Sequence, residues 1–367
     1  MYICKNIKQK MKRMSGIGIA LGITAAVTVS GAAFLSHPQF GKTARGERLE
    51  RIRQSPNFQK DKFQNEEETI LMTTDRGMAA NAAKFFFGKK PDNLVPCEGE
   101  IEVVNTDLHQ LPDSGDLYVW FGHSSFLLRL DGKNILVDPV FYKGSPVSFV
   151  NRPFPGTDVY KPKDMPEVID FLVISHDHWD HLDYKTVKEL KDRVRHVVCP
   201  LGVGENFEYW GYDKNRIIEL DWNESAEVDS LKINCLPTRH FTGRGLWNPK
   251  TEPASWLVES SRRKVFYTGD GGYDSRFERY GRQFPDIDLA IMENGQYDAD
   301  WNQIHTMPDQ LGKEVKELNA KRFITVHHSK FALANHPWDE PRRNEQQAVE
   351  QYGLNLVVCK IGEVVRL

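Results

Sequence analysis

The chain has 367 residues, 40% hydrophobic and 27% charged, an ordinary globular balance with length for one large domain or two small ones. Its formal net charge of −3 becomes −8 without residues 1–32, which hold five basic residues and no acidic one. A field of that sign argues against a chain whose main task is gripping nucleic acid. In chain order, Lys5, Lys8, Lys10, Lys12 and Arg13 precede an uncharged apolar stretch from Gly16 to Leu35. That is the pattern of a secretion signal or an uncleaved signal anchor. Ser30-Gly31-Ala32 offers small residues for cleavage, while Gly, Ser and Thr weaken the case for a bilayer span. Residues 1–35 are therefore read as a signal peptide or membrane anchor. The protein is expected to be exported, either periplasmic or membrane-anchored with its main domain outside the cytoplasm.

Residues 36–115 read as an N-terminal extension packing on a core, with a short helix over Glu47–Arg53 and an aromatic run, Phe85–Phe87. Residues 116–367 read as the catalytic domain. Strands are expected over Leu117–Leu130 as a pair, then Ile135–Pro139, Phe171–Ser175, Arg195–Pro200, Ile217–Leu220 and Leu231–Leu236. Further strands are expected over Ser255–Glu259, Lys264–Thr268, Asp288–Glu293, Arg322–His327 and Leu356–Val358. Helices are expected after an Asp183 N-cap, and over Asp274–Tyr280 and Pro308–Asn319. Successive hairpins interleaved with outer helices predict two packed sheets with helices on both sides, an α+β class. Cys4, Cys97, Cys199, Cys235 and Cys359 form no CxxC pair; Cys4 would leave with a signal peptide, and the other four read as buried free thiols.

The chemistry concentrates in Ser175-His-Asp-His-Trp-Asp-His-Leu-Asp183, with three of the twelve histidines of the chain. Later strands end at His240, at Asp270 beside glycines, at Met292-Glu-Asn-Gly295 without a clear ligand, and at His327-His328. Histidine nitrogen with carboxylate oxygen is the donor chemistry of catalytic zinc. The inventory divides into His176, His178 and His240 for one metal, and Asp180, His181 and His327 for the other. Asp270 bridges them, with a hydroxide as second bridge. Two zinc ions are the expected cofactors, with iron or manganese as alternatives on the same ligands. Asp177 and Trp179, which alternate with the ligands, are expected to orient the loop. His123 reads as a satisfied core histidine, and His328 as facing away from His327.

This ligand set resembles that of the metallo-β-lactamase superfamily over residues 117–360. The resemblance implies a four-layer αββα sandwich with a binuclear site at one edge. Within it the chain is most similar to the branch of phospholipase D that hydrolyses N-acylphosphatidylethanolamine. That similarity rests on Trp120-Phe-Gly-His-Ser124, Leu136-Val-Asp-Pro139, Arg239–Arg244, Ala254-Ser-Trp256 and His327–Asn335. The branch implies a phosphodiesterase in which a metal-bridging hydroxide attacks phosphorus. A phospholipid or small-molecule substrate and membrane association are the expected partners, and a homodimer is left open. Asp180 and Asp270 are ligands that also position the nucleophile. His305 matches a histidine near the site of the related phospholipase, as a substrate contact or general acid. Arg244 and Lys330 are candidate phosphate contacts. The alternatives are a lactonase of the ascorbate-phosphate type and a non-catalytic metal scaffold.

Overall fold

The computed structural model describes residue 31 and residues 33–367, apart from 78–79, 81–82, 85–86, 113–114, 144, 148–149 and 246–249. Residues 1–30 of the proposed leader, and Phe85 and Phe86, lie outside the described residues. Among the described residues no helix is long and apolar enough to cross a membrane. Phe87, expected to pack, is 88% exposed.

The elements run α1 (Gly46–Gln54), β1 (Phe58–Gln59), β2 (Lys62–Phe63), β3 (Leu117–Trp120), β4 (Phe126–Leu130), β5 (Lys133–Val137) and β6 (Ile169–Val173). They continue through α2 (Tyr184–Leu190), β7 (Val194–Pro200), α3 (Gly204–Tyr209), β8 (Ile217–Leu220), β9 (Ser225–Val228), β10 (Leu231–Leu236) and β11 (Ser255–Glu259). The last are β12 (Lys264–Tyr267), α4 (Arg276–Gln283), β13 (Leu289–Glu293), α5 (Leu311–Leu318), β14 (Phe323–Val326), α6 (Glu340–Tyr352) and β15 (Val364–Arg366). One sheet has the order β15-β3-β4-β5-β6-β7-β8, the other β14-β13-β12-β11-β10-β9.

Strand alternation explains the layering. In the second sheet Trp256, Val258, Val265, Tyr267, Leu289 and Ile291 join the core shared with the first sheet. Their neighbours Leu257, Phe266, Ala290 and Met292 face the other way, onto Phe277 of α4, Leu311 and Val315 of α5 and Ala348 of α6. A period of two with both faces apolar is what a sheet buried on both sides requires. Val187 and Leu190 of α2 and Phe207 of α3 pack onto the first sheet. The result is the αββα sandwich that the resemblance implies. Fully buried Phe266 is a keystone of the helix-side layer, and Phe266→Ala would cost about 3–5 kcal/mol.

One expectation fails at the C-terminus. Leu356–Val358 is no strand: Leu356 makes one isolated bridge to Phe323, Leu356 and Val357 are only partly buried, and Val358 is 63% exposed. The closing strand is β15, antiparallel to β3 with Val365 opposite Tyr118. Helix α6 was not expected from the pattern; it ends at Gly353, whose left-handed φ of 66° suits a glycine C-cap. Cys199, Cys235 and Cys359 are buried free thiols, whereas Cys97 is exposed.

From Ala44 onward the extension is stitched to the sandwich. Ala44 and Ile52 bury against Leu201, and the Arg48 guanidinium lies 2.6 Å from both Glu205 and Glu219. For the site, the important feature is parallelism. Strands β5 to β8 run parallel, as do β12, β13 and β14. Their carboxyl ends open onto one edge of the sandwich, where the loops carry the candidate ligands.

Candidate metal centre

The loop after β6 is held rigidly before any metal is considered. Ser175 N and Oγ donate to the two oxygens of buried Asp138, at 2.8 and 2.5 Å. At the far end Asp183 caps α2, accepting from the amides of Lys185 and Thr186 at 3.3 and 3.2 Å. Asp177 accepts from Gly243 N at 2.8 Å and from Thr251 Oγ1 at 3.1 Å. Trp179 lies under the Arg244 guanidinium, 4.2 Å from its ring centre. Asp177 and Trp179 thus brace the loop, leaving the alternate residues to face the site.

Those residues converge with the distant strand ends. His176 Nε2 lies 2.9 Å from His178 Nδ1, which lies 3.2 Å from His240 Nε2. Asp180 Oδ2 lies 3.6 Å from His181 Nε2 and 3.5 Å from His327 Nε2. Between the trios stands Asp270 Oδ2, 3.1 Å from the Nε2 atoms of both His181 and His327, 3.8 Å from His176 and 3.9 Å from His240. His181 Nε2, His327 Nε2 and Asp270 Oδ1 are buried without a hydrogen-bond partner among the described residues. Buried polar atoms without partners are costly. Here they are imidazole nitrogens and a carboxylate oxygen aimed at common points, the donor chemistry of a metal pair. The residues present fit two ions.

The outward-facing ring nitrogens are also fixed, which sets tautomer and ring angle. His181 Nδ1 meets Asp138 Oδ2 at 2.9 Å, and Tyr267 OH donates to the same oxygen at 2.7 Å. His240 Nδ1 meets Ile304 O at 2.8 Å. His327 Nδ1 lies 3.1 Å from Glu293 Oε1. The other Glu293 oxygen accepts from Gly271 N at 2.8 Å. A Cβ on Gly271 would stand 2.3 Å from Thr238 Oγ1, so glycine is required for that approach. Glu293 Oε1 also makes a short contact with His305 Nδ1, and the His305 ring stacks 5.4 Å from that of His327. His305 therefore belongs to the site.

Burial pushes the imidazoliums of His176 and His240 well down. Burial would lower His181 too, but Asp270 and Asp180 raise it to about 10. Burial opposes ionisation of Asp180 and Asp270, yet the imidazoles around them hold both carboxyls well below the usual range. The anionic form of both carboxylates is thereby favoured.

Two expected substrate contacts do not face the site. Arg244 is 4% exposed and donates to the carbonyls of Asp177 at 2.9 Å and Leu182 at 2.5 Å, bracing the loop from behind. Lys330 is 2% exposed and donates to Phe121 O at 3.1 Å and Val140 O at 2.9 Å. Both cations donate to main-chain carbonyls. His328 turns away from His327, toward Thr325 Oγ1 at 2.9 Å. Pattern reading missed three residues. Asp138 and Glu293 support the ligand imidazoles, and His123 sits against Asp180 with Nε2 2.8 Å from Oδ2. The signal that could have found Asp138 and Glu293 is their place at the ends of parallel strands that neighbour ligand-bearing ones.

Beside His240 opens a cleft of about 550 Å³, walled by Phe63, Asn65 and Leu71 of the extension and by Trp222 and Phe241 of the sandwich. Asn65 Oδ1 accepts from His240 N at 3.1 Å, tying that wall to the ligand.

Residues 133–328 match the family described as Beta-lactamase superfamily domain. An uncharacterized protein of Mycobacterium tuberculosis is 34% identical over 321 residues, 85% of this chain and 84% of its own. N-acyl-phosphatidylethanolamine-hydrolyzing phospholipase D 1 of Caenorhabditis elegans is 32% identical over 246 residues, 62% of this chain and 67% of its own. Among solved structures, CmlA, a diiron β-hydroxylase from Streptomyces venezuelae, superposes with a TM-score of 0.56 at 19% identity. The match covers 70% of this chain and 55% of CmlA, a likeness of fold alone.

Proposed function

The chain belongs to the β-lactamase superfamily and is a metal-dependent hydrolase with a binuclear site, and from that premise we propose that it is a phosphodiesterase of phospholipase D type. Its substrate class is N-acylphosphatidylethanolamine or a closely related phosphodiester. The observation that carries the reading is Asp270 Oδ2 standing between two separate ligand trios. His176, His178 and His240 would hold one ion, Asp180, His181 and His327 the other, with Asp270 shared. The name of the nematode relative supports the substrate class.

Two such ions, zinc in this proposal, lower the pKa of a water and offset charge on phosphate oxygens. The residues of the chain do the rest. Asp180 and Asp270 orient the attacking water, whose oxygen bonds to phosphorus as the bond from phosphorus to the head-group oxygen breaks. His305, its Nδ1 engaged by Glu293, has Nε2 left to give a proton to the departing alkoxide. The products are a phosphatidate and an N-acylethanolamine. The basic run Lys5–Arg13 ahead of the apolar stretch Gly16–Leu35 supports a working location outside the cytoplasm, testable by fractionating cells that express the tagged full chain.

The test is a substrate panel for the purified protein, loaded in turn with zinc, iron or manganese. N-acylphosphatidylethanolamine and a simple aryl phosphodiester should be cleaved, and chelator should stop both. Opening of a lactone with neither phosphodiester touched would make the protein a lactonase and end the proposal.

A further inference from the structure

The turn joining β3 to β4, Phe121-Gly-His-Ser-Ser125, is bent by two successive left-handed residues, Gly122 at φ 80° and His123 at φ 53°. Glycine adopts that conformation freely. A histidine there is strained and persists only when its surroundings over-determine it. Three bonds to its main chain do so. His123 N donates to His328 O at 2.8 Å, and His327 N donates to His123 O at 3.0 Å. The Trp120 indole donates to the same carbonyl at 2.8 Å. The backbone of His123 is thereby laced to the strand end that carries His327.

The side chain is equally constrained. Its ring is fully buried, 4.3 Å from the His327 ring and 5.1 Å from that of Phe331. Nε2 lies 2.8 Å from Asp180 Oδ2, while Nδ1 has no hydrogen-bond partner among the described residues. A neutral imidazole carries one N–H. On Nδ1 that proton would be stranded; on Nε2 it meets a carboxylate. The hydrogen-bonding partners therefore assign the Nε2–H tautomer.

We infer that His123 is a positioning residue for one metal of the pair and not the other. Its imidazole fixes the Asp180 carboxylate, and its main chain fixes His327, two of the three residues of one trio. Among the described residues, none of its bonds or ring contacts reaches His176, His178 or His240. The inference rests on the two-metal reading above and makes His123 a selective determinant within it.

The test is metal stoichiometry and affinity, which need no substrate. Apo protein is titrated with zinc against a chromophoric chelator, then dialysed and its metal counted. Wild type should bind two ions. His123→Leu, which keeps bulk and removes the donor, should keep one tight ion and bind the other about 10- to 100-fold more weakly. His123→Gln, whose amide can reach the same oxygen, should recover most of that loss. Two ions bound by His123→Leu at wild-type affinity, or equal weakening of both, would overturn the inference. Fewer than two ions on the wild type would overturn the two-metal reading itself, so the two failures are told apart. Should His123→Leu fail to fold, imidazole nitrogen NMR on the zinc-loaded wild type still decides. A proton on Nε2 of His123 is expected, and a bare or metal-bound Nε2 overturns the inference.

Discussion

The Asp138 carboxylate stands 2.9 Å from Nδ1 of His181, and neither side chain has any solvent exposure. A carboxylate behind a ligand imidazole makes it a stronger donor and fixes which nitrogen faces the metal. Asp138→Asn keeps the shape and loses the charge. It should weaken metal binding about 10- to 100-fold, read by chelator competition, with far-UV circular dichroism unchanged. Unaltered affinity would reduce Asp138 to a scaffold for Ser175.

His178 is a proposed ligand, and its Nδ1 faces the ring nitrogens of both His176 and His240. His178→Ala should lose one ion per chain by elemental analysis. Turnover should fall about 10³-fold or more, the scale of several kcal/mol of lost transition-state stabilisation. Wild-type turnover in that variant would refute the ligand assignment.

His305 should separate from the ligands. His305→Gln is expected to keep both ions and lower kcat about 10²- to 10⁴-fold, the range for loss of a general acid. The loss should shrink for a substrate whose leaving group is a good one, such as a nitrophenol, because that oxygen needs no proton. Loss of an ion from the variant would instead make His305 part of the ligand shell.

The residues proposed as ligands were legible in the sequence because each carries a local mark. Strand-to-loop transitions with His or Asp at the end are visible without knowing which strands pair. The supporting residues were less so. Glu293 follows a run indistinguishable from other buried strands. Its meaning comes from β13 lying parallel between β12 and β14, which places its end between Asp270 and His327. Asp138 has the same explanation on β5, parallel to β6. His123 failed for a different reason. A histidine inside a strand pair reads as core, and only the left-handed turn swings it onto Asp180. Arg244 and Lys330 show the reverse error. A cation near a proposed phosphodiester site suggests a phosphate contact, but exposure is set by tertiary packing, and both are buried against carbonyls.

Buried Lys330 yields a stability prediction away from the ligands. Burial lowers its ammonium to about 8, below the ordinary lysine value. The folded state therefore releases this proton before the unfolded state does, and stability rises with pH between the two values. Relative to Lys330→Met, the wild type should gain about 2 kcal/mol between pH 7 and pH 9.5, measured by urea unfolding of the metal-loaded proteins. A difference independent of pH would mean that the ammonium is better solvated than its two carbonyl partners imply.

In the proposed reaction water attacks phosphorus at the paired metal site. Hydrolysis of N-acylphosphatidylethanolamine in ¹⁸O-labelled water, followed by mass spectrometry of both products, tests it directly. One labelled oxygen is expected in the phosphatidate, none in the N-acylethanolamine, and no product after chelation. Label in the ethanolamide oxygen, or cleavage that survives removal of the metals, would contradict it.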